Sequence, residues 1–333
     1  MENDPSRRRV SPREVPVMVL NWNGWEDTLA CLASLRAAEE VGTVWLIDNG
    51  STEDRSAEAE VAYPGLRVVR LGHNYGWAGG YNRALALARE QGYPYAYLLN
   101  NDARVDPGFL ASCLVEMGRG ARVAAVGSCI LRLEDGSVWF DGHYGYAPGE
   151  RKAAALDGRP ATVVEEVNGC GMLVALDAVA ACGPFDERYF CYREEAEWSR
   201  RIRRHGWTLR VAPASRVRHA LGGSDRNANT AYYMNRNLVL DAEEASGWAR
   251  VGRRWGAFYF MYRSANEARR RGDRAGEEAC LQALRDGWKG RFGPRPAAGR
   301  APLLLRLAAR TWPFPQGAFR RWWGRRGRVR KAA

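Results

Sequence analysis

The sequence predicts an α/β protein: an open, mostly parallel sheet flanked by helices, followed by a helical extension. Three observations predict it. Short Val-rich apolar runs alternate with stretches of helical apolar spacing from residue 15 onward, the pattern of strands joined by crossover helices. Polar residues collect where those runs stop, at Asn21, Asn23, Asp48, Asn74 and Asp102. Right-handed crossovers bring such strand ends to one rim, where α/β sheets bind ligands. Finally, residues 227–290 read as mostly helical, with no further strand signal.

The elements follow in order. "VPVMVL" (15–20) is a buried strand that stops at the turn "NWNG", and 25–38 repeats apolar groups at helical spacing. "TVWLIDNGS" (43–51) and "LRVVRLGHN" (66–74) are the second and third strands. "GWAGGYNRALALAREQG" (76–92) is a Gly-rich turn entering a helix that stops at Gly92, and "YAYLLNND" (95–102) is the fourth strand. Pro107 opens another helix, with Asp106 as its cap, because proline suits a first helical position. From 123 the pattern shifts to a hairpin around Asp135-Gly136, an irregular loop over 141–162, and a strand, Gly-flanked turn and strand over 164–176. A helix follows at 194–205, and 207–224 is extended through His219.

Totals narrow the function. The 333 residues, 46% hydrophobic, suffice for a large core without staples. The seven cysteines form no C-x-x-C pair, and their number is odd, so they read as reduced thiols of a cytosolic protein. The polar start "MENDPSRRRVSPREVP" is neither signal peptide nor span, with 1–14 expected to be disordered. The net charge of +12 sits in the tail: after Asp286 there are 13 Lys and Arg and no Asp or Glu. The rest, near neutral, argues against a nucleic-acid-binding domain. No G-x-G-x-x-G follows the first strand and no G-x-x-x-x-G-K-[ST] occurs, which weighs against dinucleotide and P-loop chemistry.

Four places carry chemistry. Asp48, Asn21 and Asn23 could hydrogen-bond a base or ribose, or simply shape turns. Asp102, just past a buried strand, could hold Mg²⁺ or Mn²⁺ against a diphosphate, or merely precede a helix. His219 could complete that site or be structural. In "RYFCYREEAEWSRRIRRHGW" (188–207), Glu194, Glu195 and Glu197 open a helix. The macrodipole welcomes acids there at ~0.3–1 kcal/mol each, whereas a partly desolvated carboxylate beside Trp198 could be a base.

Taken together, "VPVMVLNWNG", "WLIDNGSTED", "LGHNYGWAGGYNRAL", "YLLNNDARVDPGFL", "NGCGML", "GPFDERYFCYREEAEWSRRIRRHGW" and "HALGGS" occur in this order. The set resembles family 2 glycosyltransferases of the A-type fold, most of all their rhamnosyltransferase branch, over residues 15–240. The resemblance implies an inverting transferase using a nucleotide-diphosphate sugar such as dTDP-rhamnose. UDP-galactofuranose, GDP-mannose and UDP-GlcNAc remain as rival donors, and a silent sugar-nucleotide-binding scaffold as a rival role. It further implies Asn21, Asn23, Asp48, Asn74, Asn82, Asn101 and Gly169 at the donor, and Asp102 with His219 at the Mg²⁺ or Mn²⁺. Glu195, one methylene longer than the family's usual Asp, becomes the base, and Trp198 and Glu194 meet the acceptor, a glycan or lipid-linked glycan. Residues 241–290 are then a helical extension. The tail, 291–333, mixes Leu, Trp and Phe with Arg, with a short amphipathic helix at 302–310. It suits an anionic membrane surface at the inner face of the cell membrane, with a homo-oligomer contact as the rival.

Overall fold

The computed structural model describes residues 10–38, 40–144, 146–220, 228–296, 301, 302 and 306. The first half alternates β1 (Pro16–Asn21), α1 (Trp25–Ala37), β2 (Thr43–Asp48), α2 (Ser56–Ala62), β3 (Arg67–Arg70), α3 (Gly76–Glu90) and β4 (Tyr95–Asn100). Then come β5 (Ala103–Val105), α4 (Phe109–Met117), β6 (Val123–Arg132), β7 (Val138–Phe140), β8 (Thr162–Val164), β9 (Gly171–Ala175) and α5 (Leu176–Cys182). The rest is α6 (Glu194–Arg204), β10 (Thr208–His219), α7 (Ala228–Arg236), α8 (Leu238–Glu243), α9 (Gly247–Arg270) and α10 (Arg274–Trp288).

One sheet runs in the order β3-β2-β1-β4-β9-β6-β10-β5, with β7 on β6 and β8 on β10. Strands β3, β2, β1 and β4 are mutually parallel. Strand β9 enters antiparallel between β4 and β6, and β10 returns parallel to β6. Every residue of β6 is buried, the mark of a strand covered on both faces. Registers Asn21↔Asp48 and Leu20↔Asn100 set three strand ends side by side on one rim.

Short elements escaped the sequence reading. Helices α2 and α5 have seven residues each, too few for a clear helical period. Helix α4 starts at Phe109, after Gly108 in the left-handed region (φ +81°), so Pro107 lies in the preceding turn. Asp106 is not its cap: its carboxylate takes two N–H donors from Arg218, at 2.8 and 3.0 Å. Glu40 caps α4 from a distance instead, accepting from Leu110 N at 3.0 Å.

The last four helices share a second core of Tyr232, Tyr233, Val239, Ala257, Met261, Ala279 and Ala283, against which Phe190, Cys191 and Tyr192 pack. The extension is therefore seated on the segment leading into α6. Most of the basic tail, including nearly all of the helix expected at 302–310, lies outside the described residues, as do 1–9. Among the described residues, no helix is long and apolar enough to cross a membrane.

Candidate active site

Each functional side chain at the rim is positioned by the chain leaving a strand. Asn21 is fully buried, and its Oδ1 accepts from Gly24 N at 3.0 Å, Thr28 Oγ at 3.0 Å and Asn101 Nδ2 at 3.3 Å. Asn101 also donates to Gly24 O and Thr28 Oγ, both at 3.1 Å. The two amides thus tie the β1–α1 turn to the end of β4. Asn23, in the left-handed region (φ +59°), accepts from Thr52 N at 2.8 Å and so joins that turn to the one after β2. Asp48 accepts from Ser51 N at 3.2 Å and stays half-buried. Asn74 accepts from Asn49 Nδ2 at 3.1 Å and from Gly76 N at 2.8 Å. Asn49, missed from sequence because it sat inside a turn-like Asp-Asn-Gly, is buried and also accepts from Tyr75 N at 3.0 Å. These amides hold the rim's loops in one arrangement, with Asp48 between them.

Asn82 sits away from that group, on α3. It grips the backbone of Phe185, donating to its carbonyl and accepting from its N–H at 2.9 Å each. That fastens the loop before α6 to α3. Gly169 belongs with the end of β4: a Cβ there would lie 2.7 Å from the Trp77 ring, whose Nε1 donates to Asn100 Oδ1 at 3.1 Å.

Asp102 and His219 are brought together by the pairing of β5 with β10, which sets His219 opposite Ala103. His219 Nε2 lies 3.0 Å from Asp102 Oδ1. No hydrogen bond joins them: Asp102 Oδ1 is buried without a hydrogen-bond partner, as is His219 Nδ1 on the other side of the ring. Buried polar atoms left unpaired cost about 1–3 kcal/mol each, so a ligand that uses them is expected. The carboxylate is an oxygen donor of the kind that suits Mg²⁺ or Mn²⁺, and the imidazole favours Mn²⁺, the softer of the two. Among the described residues no group of three or more His, Cys, Asp or Glu could hold a metal ion. The remaining positions would fall to phosphate oxygens and water.

The acidic cluster opens α6. Residues Phe190, Tyr192 and Arg193 all have positive φ (65°, 68° and 76°). Side-chain-bearing residues pay about 1–2 kcal/mol each for that conformation. What holds them is the extension. Asn237 Nδ2 donates to the carbonyls of Tyr189, Cys191 and Tyr192 at 3.0, 2.9 and 2.7 Å. The fully buried Arg236 donates to Arg188 O at 3.1 Å and Tyr189 O at 2.9 Å. Asp241 takes Arg193 Nε at 2.6 Å and Arg200 Nη2 at 2.8 Å. Gly76, also left-handed (φ +73°), lets this turn approach α3: a Cβ there would strike Phe190 O at 2.1 Å.

The turn delivers two unlike carboxyls. Glu194 is buried and unpaired at Oε2, and burial, then the charge of Glu195, hold its carboxyl well above the usual range. Glu195 is half-buried, with Oε2 also buried and unpaired. Burial, then the neighbouring charge of Glu166, raise its carboxyl to about 7. Glu197, by contrast, is spent on Arg201 at 2.8 Å. Trp198 corrects the expectation of an acceptor platform. It is fully buried, its Nε1 donates to Gly183 O at 3.2 Å, and its ring packs on Phe185 at 5.3 Å. No sugar can reach it.

The exposed aromatics lie elsewhere. Tyr144 is 47% exposed, and burial of its hydroxyl end and the charges of Glu195 and Glu166 raise its phenol. Its oxygen accepts from Asn168 Nδ2 at 2.9 Å, while Asn168 Oδ1 holds Cys170 N at 2.8 Å. Cys170 O in turn accepts from Asn100 N at 3.0 Å. Trp139 stands 5.7 Å from Tyr144 and 5.9 Å from His219, ring to ring. Asp102, His219, Trp139 and Tyr144 therefore neighbour one another in turn, and Tyr144 lies near enough to Glu195 to feel its charge. Trp139 and Tyr144 were missed because they fall in a hairpin and irregular loop with no periodic signal.

Comparison with known proteins bears on the fold and the family. Residues 17–166 match the profile of Glycosyl transferase family 2. The chain is 28% identical over 279 residues to the N-acetylglucosaminyl-diphospho-decaprenol L-rhamnosyltransferase of Mycobacterium tuberculosis, covering 72% of this chain and 88% of that one. Its fold is similar to the mannosyltransferase PcManGT from Pyrobaculum calidifontis in complex with GDP-Man and Mn²⁺: TM-score 0.51, 17% identity, 96% of this chain and 85% of that one. It is also similar to GalNAc-T7 with UDP, GalNAc and Mn²⁺: TM-score 0.50, 15% identity, 70% of this chain and about half (51%) of that one. The sheet is thus that of the A-type glycosyltransferases. On these grounds residues 17–166 form a glycosyltransferase family 2 domain, and the chain is similar over most of its length to a rhamnosyltransferase of that kind.

Proposed function

We propose that this glycosyltransferase works with inversion, moving a sugar from a nucleotide-diphosphate donor, dTDP-rhamnose or a close analogue, to a hydroxyl of a glycan or lipid-linked acceptor. The observation that carries the reading is Glu195. It is a carboxylate at the open end of a helix, one oxygen buried and unpaired, poised near neutrality by burial and Glu166. A general base works best with a pKa near the working pH.

Glu195 removes the proton from the acceptor hydroxyl as that oxygen bonds to the anomeric carbon. The bond to the diphosphate breaks on the opposite face, and its electron pair leaves with the nucleoside diphosphate. Asp48 and the rim amides frame the nucleoside end. Asp102 and His219 would hold Mg²⁺ or Mn²⁺, which supplies positive charge for a diphosphate. Trp139 and Tyr144, rather than Trp198, offer faces to a sugar ring. The rhamnosyltransferase relative's name supports a lipid-linked acceptor. Such an acceptor suits a protein at the cytoplasmic side of a membrane whose basic tail, 291–333, meets anionic lipid. We infer no nucleic-acid role.

The test is a transfer reaction with dTDP-rhamnose, an N-acetylglucosaminyl-diphospho-lipid and Mg²⁺ or Mn²⁺, with the product linkage read by NMR. A new bond of configuration opposite to the donor's is expected. Retained configuration refutes the single-base mechanism. Consumption of no sugar nucleotide in a wider panel points instead to a silent scaffold.

A further inference from the structure

The extension carries a surface that catalysis does not use. On α9, Trp248 is 83% exposed and Trp255 53%, with Val251 also exposed; on α10, Trp288 is 63% exposed. Residues 248, 251 and 255 are spaced three and seven apart, so they share one helix face. Trp255 and Trp288 meet at 6.4 Å, which continues that face onto α10. The opposite side of α9 is the one in the core, through Ala257, Met261, Ala265 and Ala268. Soluble proteins seldom expose three tryptophans so close together without a partner.

The charge around the patch selects that partner. Residues 245–266 contain no Asp or Glu but four arginines, 250, 253, 254 and 263. The nearest acids on the N-terminal side are already engaged: Glu243 with Arg188 at 2.9 Å, Glu244 with Arg200 at 2.8 Å. The chain's own tail is ruled out as a cover by its 13 basic and no acidic residues. A second copy meeting face to face would set arginine against arginine.

We propose that the α9–α10 tryptophan face docks on an anionic lipid bilayer surface. Indole rings favour the bilayer interface, with an apolar body and a polar N–H. Arg254 and Arg263, each about a quarter-turn around α9 from the tryptophan face, flank it and reach lipid phosphates, each gaining from the negative surface potential. No span is required, and none is present among the described residues. This surface is separate from the basic tail and does not depend on which sugar is transferred or which carboxylate is the base.

The test is flotation of the full chain with phosphatidylcholine vesicles, with and without phosphatidylglycerol, at low and high salt. The parent should float with phosphatidylglycerol, and less so at high salt. Trp248→Ser/Trp255→Ser and, separately, Arg254→Glu/Arg263→Glu should each weaken partitioning roughly tenfold or more. Their melting curves and their response to sugar nucleotides should match the parent's, since these side chains lie outside the site. The proposal is overturned if the parent ignores phosphatidylglycerol vesicles. It is equally overturned if both variants float like the parent, which would leave binding to the tail. A Trp248→Ser/Trp255→Ser chain that floats normally but loses a concentration-dependent dimer in sedimentation would assign the face to a second copy instead.

Discussion

Replacing Glu195 with Gln separates the catalytic use of this carboxylate from its structural cost. The unfolded carboxyl titrates near 4.5, while burial and Glu166 raise the folded one to about 7. A raised carboxyl pKa means that the folded protein binds more protons than the unfolded chain between those values. Stability from this group is therefore fully present below pH 4.5 and is lost as pH rises through 7. The shift of about 2.5 pKa units corresponds to about 3 kcal/mol of penalty at pH 8, and to about 1 kcal/mol at pH 5.5, on the scale of 1.36 kcal/mol per unit. Glutamine keeps the shape and carries no charge. Glu195→Gln should thus be more stable than the parent at pH 8 by about 3 kcal/mol, and by less at pH 5.5. The melting temperature at pH 8 should rise by several degrees. Turnover should fall about 10²–10⁴-fold. In the parent, log(kcat/KM) should climb with unit slope below pH 7 and level off above. The assays are melting curves at both pH values and product formation across pH 5–9. A Gln variant with normal turnover refutes the base assignment. One that is less stable than the parent at pH 8 refutes the account of a strained, desolvated charge.

Other outcomes follow from the same geometry. Asp102→Asn should raise the Mg²⁺ or Mn²⁺ concentration for half-maximal activity about 100-fold or more, since losing outer partners alone costs about 10–100-fold; unchanged metal dependence would remove Asp102 from that role. Trp198→Ala should lower stability by about 3–5 kcal/mol, as for other buried aromatics, with acceptor KM little changed in whatever stays folded; a large KM effect in a stable variant would restore the ring to the acceptor. Asn237→Ala strips the donor from three carbonyls of the turn before Glu194, so kcat should drop more than KM rises, with a stability loss of about 1–3 kcal/mol. Equal kcat in this variant would mean that the turn holds its shape unaided.

How much was legible in the sequence differs from residue to residue. The strands β1 to β4, the polar rim and helix α6 were readable because each is local: a Val-rich run, a turn dipeptide, a helical period. That Glu195, Asp102 and His219 serve one site is an expectation of the family resemblance alone. Nothing local in the sequence couples residues so far apart. Trp198 shows the limit clearly. Its neighbours in sequence are carboxylates, and three residues on it lies only about 60° around α6 from Glu195, so helix geometry alone does not separate the two. Packing of α6 on the Phe185 loop then buries it fully. Asn21 and Asn101 looked like ligand contacts and proved to bond each other, because an amide at a strand end serves a turn as readily as a base.

By itself the sequence determined the element types, the rim, the charge imbalance of the tail and the residue kinds available for chemistry, since these depend on short-range spacing and composition. Only tertiary structure decided which of them are spent on structure and which stay open. Antiparallel β9 entering beside β4 brings the 168–170 loop to the strand ends, and the helices after β10 clamp the left-handed turn that presents Glu195. Burial, and with it the proton affinity of a carboxyl, depends on everything packed around it, which no local window of residues contains.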